Sequence, residues 1–243
     1  MGLLSVKDIH TLIEQDVHNL GFYLYDDLET EEIDLQINRQ IYKIVDGILD
    51  KYFGRIPKVG VEEIFQKNIV TLDNLKKQHV KNAPTTLTTI SGGISFPLQD
   101  PYYHYIKAVA TVTYSCKENG ETITKTLYPK IRIGESENID TMKTHNFHKT
   151  NKKSPLGEIA GDTVYVYTDG TFTITDVKLD YIKKPAKVVY GKDVDGNYDD
   201  ATSTQCDLDD SLHYLVQEMT SIRVLKILEK GQQKIENIQQ ETI

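Results

Sequence analysis

Apolar residues recur at Val6, Ile9, Leu12, Ile13 and Val17, the three-and-four spacing of one helix face, and Ser5 just ahead of them suits an N-cap. A stretch rich in acidic and aromatic side chains, 21–32, follows. Ile33, Ile37, Ile41, Ile44, Val45, Ile48 and Tyr52 then share one face of a longer helix, which Gly54 and Pro57 should stop. A third helical segment is read from Val61, Ile64, Phe65, Leu72 and Leu75, ending before Asn82 and Pro84. The first third of the chain therefore reads as helical.

Beyond Pro84 the period changes. Thr85 to Ile90 is β-branched, and Ser91, Gly92 and Gly93 interrupt it as a turn or bulge. Tyr103 to Cys116 and Glu121 to Ile133 alternate polar and apolar residues about a Lys-Glu-Asn-Gly turn, the pattern of an antiparallel hairpin. A second hairpin is predicted from Thr163–Thr168 and Thr171–Leu179, folded about Asp169-Gly170. Between the two lies a polar stretch, 134–162, with few apolar anchors; it holds either a short helix or an arm that orders only against another molecule. Tyr181 to Gly191, with Pro185, reads as an edge or linker strand. An acidic turn, Asp193 to Asp200, leads to a final helix that Asp207 or Asp209 could cap, with Leu212, Leu215, Val216, Met219, Ile222, Leu225 and Leu228 supplying a buried face. In its extension, Val224, Leu228, Gly231, Ile235 and Ile238 keep the alternating four-and-three spacing of a coiled-coil seam. Gly231 costs that seam about 1 kcal/mol relative to Ala, so the tail is expected to need a partner surface.

These elements predict an α+β fold in which the N-terminal helices pack with the C-terminal helix and antiparallel hairpins are inserted between them. The expected division is a helical body over 1–82, a β region over 83–190 with its polar arm at 134–162, and a returning loop and helix over 191–243. A hydrophobic content of 39% and charged content of 26% are ordinary globular values, and no apolar run reaches bilayer length, so no membrane partner is expected. The first ten residues carry no secretory pattern, and position 6 is Val rather than the Ser or Thr of a myristoylation signal; assembly in a cytoplasm is the expectation.

Candidate chemistry is sparse. Cys116 and Cys206 are the only cysteines and stand far apart, against a disulfide framework or a zinc site. The acidic turn fails the calcium-loop register: with Gly196 as the obligate glycine, Gly191 and Thr202 occupy the first and twelfth ligand positions. His145 and His148 could share a metal, but Lys149, Lys152 and Lys153 make the site electropositive. No phosphate loop, Ser elbow or nucleophilic cysteine signature occurs, so neither an enzyme nor a cofactor is expected. The net charge of −8 disfavours a dedicated nucleic-acid binder, and the three lysines are read as a protein contact ahead of a phosphate contact.

The segments LDYIKKPAKVVYG and QCDLDDSLHYLVQEMTSIRVLKILE carry a resemblance to neck-ring, or head-to-tail connector, proteins of crAss-like and related podoviruses. Tyr181, Ile182, Pro185, Cys206, Leu208, His213, Val216 and Glu218 stand at the matching places, over about one fifth of the chain. The resemblance implies a non-enzymatic virion protein in the neck of a tailed phage. Its partners would be other copies of itself in a ring, usually of twelve, the portal protein, and other neck or tail rings. Genomic DNA would pass through the centre without sequence-specific binding. The candidate interface residues are Lys149, Lys152 and Lys153 on the polar stretch and Val224, Leu228, Ile235 and Ile238 on the tail. The competing expectations are a tail-barrel or tail-hub protein and, more remotely, a glycan- or peptide-binding module using the tyrosine-bearing hairpin.

Overall fold

In a computed structural model of the chain, the residues described are 4–19, 29–53, 72, 74–79, 88–90, 92–134, 136–145 and 148–241. The side chains of 51–53, 77–79, 88–90 and 231–241 lie outside the description. The helical segment expected around Val61 to Phe65 and the stops at Gly54 and Pro57 also fall outside these residues. The fold is α+β and divides into two compact units, one formed by 1–75 with 185–243 and the other by 76–184.

The first unit packs α1 (Val6–Asn19), α2 (Thr30–Phe53) and the C-terminal α4 (Asp210–Glu241). Ser5 caps α1 reciprocally: its hydroxyl accepts from the Asp8 amide (3.1 Å) while the Asp8 carboxylate accepts from the Ser5 amide (2.9 Å), satisfying two otherwise orphaned donors. Hydrogen bonds donated to the Asp8 carboxylate by the Ser5 hydroxyl (2.7 Å) and amide hold its carboxyl below the usual carboxylate range. Asp209 caps α4 through bonds from the Ser211 amide (3.0 Å) and hydroxyl (2.6 Å), which lower its pKa too. Asp207 instead accepts from the Ala186 amide (3.2 Å). The core unites Val6, Ile9, Ile13 and Val17 of α1, Ile33, Ile37, Ile41, Ile44 and Val45 of the expected face of α2, and Leu212, Val216, Val224 and Leu228 of α4.

α4 departs from the single buried face expected of it. Leu215 (39% exposed) and Ile222 (45%) point away from the core, because the helix buries a row of mixed character that includes His213, Thr220 and Ser221. Thr220 satisfies its hydroxyl on the Val216 carbonyl (2.6 Å), and Ser221 donates to Asp16 of α1 (2.6 Å). Buried polar side chains of α4 are thus satisfied either within the helix, as Thr220 is, or by a neighbouring helix, as Ser221 is.

The second unit is a pair of packed sheets. One runs β1 (Lys76–His79), β9 (Thr173–Lys183), β4 (Tyr102–Glu118), β5 (Glu121–Leu127); the other runs β2 (Thr88–Ile90), β3 (Gly93–Pro97), β8 (Thr163–Tyr167), β7 (Leu156–Ala160), β6 (Arg132–Gly134). Their facing residues form one core, with Phe96, Val164 and Val166 from the second sheet meeting Ala108, Ala110, Val112, Val177 and Leu179 from the first. The β4–β5 hairpin forms about its expected turn, where Asn119 (φ 53°) and Gly120 (φ 87°) both take positive φ as a type I′ turn requires. The strand expected to run on to Ile133 ends at Leu127, however, and Arg132–Gly134 joins the other sheet. Along β9, Thr175 is the extra residue of a bulge opposite Thr111 and Val112, which is why the inward residues Ile174 and Val177 stand three apart rather than two.

Three other strand expectations also need correction. The hairpin predicted about Asp169-Gly170 does not form, since β8 and β9 join different sheets. Only Gly170 has positive φ there; the Asp169 carboxylate accepts from the Thr171 amide (2.9 Å), and the resulting turn passes the chain between sheets. β8 pairs instead with β7 across Gly161-Asp162, where positive φ at Gly161 alone (58°) fits a type II′ turn. Finally, β9 continues through Tyr181 and Ile182 as an interior strand between β1 and β4, and Pro185 lies beyond its end.

Candidate functional site

Residues 134–162 were expected to hold a short helix or to be an arm awaiting a partner, and the first alternative is found: α3 (Ile139–Thr144) is followed by a tight turn and by β7. Two side chains organise the turn. Nη2 of Arg132 donates to the carbonyls of His148 (2.8 Å) and Lys149 (3.1 Å). The Thr150 hydroxyl donates to the Tyr167 carbonyl (2.7 Å) and accepts from the Leu156 amide (3.1 Å). Through these bonds the described part of the turn is fastened to the second sheet.

The basic residues sit on that turn. Lys149 and Lys153 are exposed, whereas the Lys152 ammonium lies 3.9 Å from the centre of the Tyr114 ring, a cation–π contact. Lys143 makes a similar contact with Tyr167 at 3.8 Å. Burial and a bond to Glu158 (2.8 Å) push the Tyr167 phenol's pKa upward. The His145 and His148 rings lie 4.8 Å apart, but no cluster of three or more metal-ligating side chains occurs among the described residues.

The tail candidates divide differently. Val224 (2% exposed) and Leu228 (6%) are buried inside this chain's own helical unit, beside Ile33 and Gln36 of α2. That assigns them to the intramolecular core, because the seam spacing coincides with the stripe α4 turns toward α2. Ile235 and Ile238 lie on the helical backbone, but their side chains lie outside the described residues.

What sequence reasoning missed is the polar clamp in the helical unit. Asn38 of α2, 8% exposed, pairs with both backbone groups of Val188: its Nδ2 donates to the Val188 carbonyl (2.8 Å) and its Oδ1 accepts from the Val188 amide (2.8 Å). One turn earlier, Asp34 accepts from the Tyr190 amide (2.9 Å) and bonds Nε2 of His10 (2.9 Å). Tyr190 stacks on His10 (4.6 Å) and meets Tyr198 edge-on (4.9 Å), tying the acidic turn to α1 and α2. A helical period that placed two polar residues beside an isoleucine face was the available signal. Cys206, buried nearby, is a free thiol whose pKa is pushed up to about 11 by burial, a poor nucleophile at neutral pH.

No family model matches the sequence, and no curated protein matches it. Among the described residues no helix is long and apolar enough to cross a membrane.

Proposed function

We propose that this chain is a structural virion protein, a subunit of a ring in the head-to-tail connector of a tailed phage, joining portal to tail. The observation that carries the reading is the apolar surface of the helical unit. Leu35 on α2 and Tyr214, Leu215, Ile222 and Ile227 on α4 are all more than a third exposed. Such apolar area on packed helices is what a covering macromolecule would remove from water. The resemblance chooses the assembly. Its residues Cys206, Leu208, His213 and Val216 form the buried seat of α4, so the resembling segment is the part that positions that helix.

In this reading the work is mechanical. Each subunit closes the ring by head-to-tail contacts between unlike patches, and the surplus of acidic residues keeps the channel wall from gripping the duplex. Electron microscopy of the purified full chain and of virions carrying it tests this. A ring at the neck is expected. Labelling along the tail would favour the tail-barrel or tail-hub alternative, and a protein absent from particles would end both.

A further inference from the structure

Between α2 and α4 lies a groove of about 220 Å³ lined by Gln40, Lys43, Met219, Ile222, Arg223 and Lys226. Met219 and Ile222 give it an apolar lining beside the buried Gln40, and Lys43, Arg223 and Lys226 are exposed cations there on a chain whose net charge is −8. An apolar lining beside cations is complementary to an apolar group flanked by carboxylates.

The same unit presents such a group. Val194 is fully exposed (101%) between Asp193 and Asp195. Its turn is built firmly: the Asp193 carboxylate accepts from the amides of Asp195 (2.9 Å) and Asn197 (2.8 Å), the Asp193 amide donates to the Asn197 carbonyl (2.8 Å), and Gly196 supplies a φ of 85°. At the base of the turn Lys192 pairs with Glu31 (3.5 Å) in the first turn of α2. A knob held in one conformation before binding loses little entropy when it docks.

The turn does not fill its own groove. Gln40 lies nine positions along α2 from Glu31, about 14 Å along the axis, and Val194 stands in solvent. We infer that the α2–α4 groove receives the Val194 turn of a second copy of this chain, with Val194 on Met219 and Ile222 and the flanking aspartates facing Lys43, Arg223 and Lys226. Knob and socket are different patches of one subunit, so the contact is heterologous and repeats from copy to copy until a ring closes or a filament grows. The choice of a second copy as occupant rests on the ring reading.

The test uses the full chain with Val194 replaced by the photoreactive p-benzoylphenylalanine, mixed with an isotope-labelled unsubstituted chain. Adducts are expected between chains, on peptides containing residues 40–43 or 219–226. In sedimentation, Val194→Asp and the triple variant Lys43→Glu/Arg223→Glu/Lys226→Glu should each weaken self-association by about tenfold or more, in the range of central interface residues. All these positions are exposed, and circular dichroism verifies folding. An Asp195→Lys chain, which keeps the Asp193 bonds that build the turn, should recover association with the triple variant that each lacks alone. Adducts confined to other surfaces, unchanged association in the variants, or a chain that stays monomeric overturns the inference. The two readings fail separately: a neck ring lacking this cross-link removes only the knob and socket, whereas a cross-linked assembly absent from the neck removes only the connector role.

Discussion

The helical unit and the inserted sandwich solve the same problem of register in opposite ways. The sandwich is one continuous segment, 76–184, in which tight turns set the β4–β5 and β7–β8 pairs, while distant strands such as β1 and β9, β4 and β9, and β3 and β8 are brought together around an almost wholly apolar core. The helical unit is assembled from two separate stretches, 1–75 and 185–243, with no short turn to align them. Its pieces are located by directional bonds instead: Asn38 on Val188, Asp34 on Tyr190, and Asp16 of α1 on Gln217 and Ser221 of α4 at 2.7 and 2.6 Å. Apolar burial supplies cohesion in both units, but buried polar pairs specify which residues meet when the chain itself does not.

The largest break in this comparison is excision. β1 and β9 pair with Lys76 opposite Ile182, so the insert begins and ends side by side. A chain of residues 76–184 should unfold cooperatively in urea, and a short Gly-Ser bridge from Leu75 to Pro185 should leave the remaining chain helical by circular dichroism. An unstructured 76–184 fragment would show that the sandwich is not self-sufficient. Next in size, Phe96→Ala should cost the sandwich about 3–5 kcal/mol by leaving a cavity in its core. Equilibrium unfolding followed by hydrogen exchange should place the loss in β3 and β8 and leave α2 protected.

Asn38→Leu tests the other side. It keeps approximate size but strands the Val188 amide and carbonyl, for a loss of about 2–4 kcal/mol confined to the helical unit. A loss no greater than that of an exposed substitution would show that packing alone sets the register. The smallest effect is at the cap: Asp209→Ala should cost about 1 kcal/mol. Because the Asp209 carboxyl is held below its unfolded value by the Ser211 bonds, its contribution is present above about pH 4 and is lost as pH falls through the lower folded pKa. Asp209→Asn should keep most of the cap and flatten that acid dependence, which a pH series of unfolding midpoints would reveal.

The helices were legible because an isoleucine every three or four residues has one physical reading, and the β4–β5 hairpin because Asn119-Gly120 demands its turn. Asp169-Gly170 misled because a turn dipeptide reports local bending, not which sheet each flanking strand joins. The β7–β8 hairpin was hidden by the short strand Leu156–Ala160 at the end of a polar stretch. Val224 and Leu228 matched a coiled-coil seam because an intermolecular seam and an intramolecular stripe share one spacing over two turns. The knob at Val194 carried no periodic signal, since its meaning lies in its exposure and in the groove's opposite charge.

The Asn38 pairing also bears on how this protein can change over generations. A carboxamide that bonds the main chain of Val188 ignores the side chain there, so position 188 is free to drift among buried apolar residues of similar volume. Position 38 has no such latitude: Asp lacks the donor, Gln places the amide one carbon further out, and inserting one residue earlier in α2 would swing the group about 100° around the helix axis. Lineages that lengthen or shorten the chain should do so in the loops and leave the N-terminal turns of α2 at constant length.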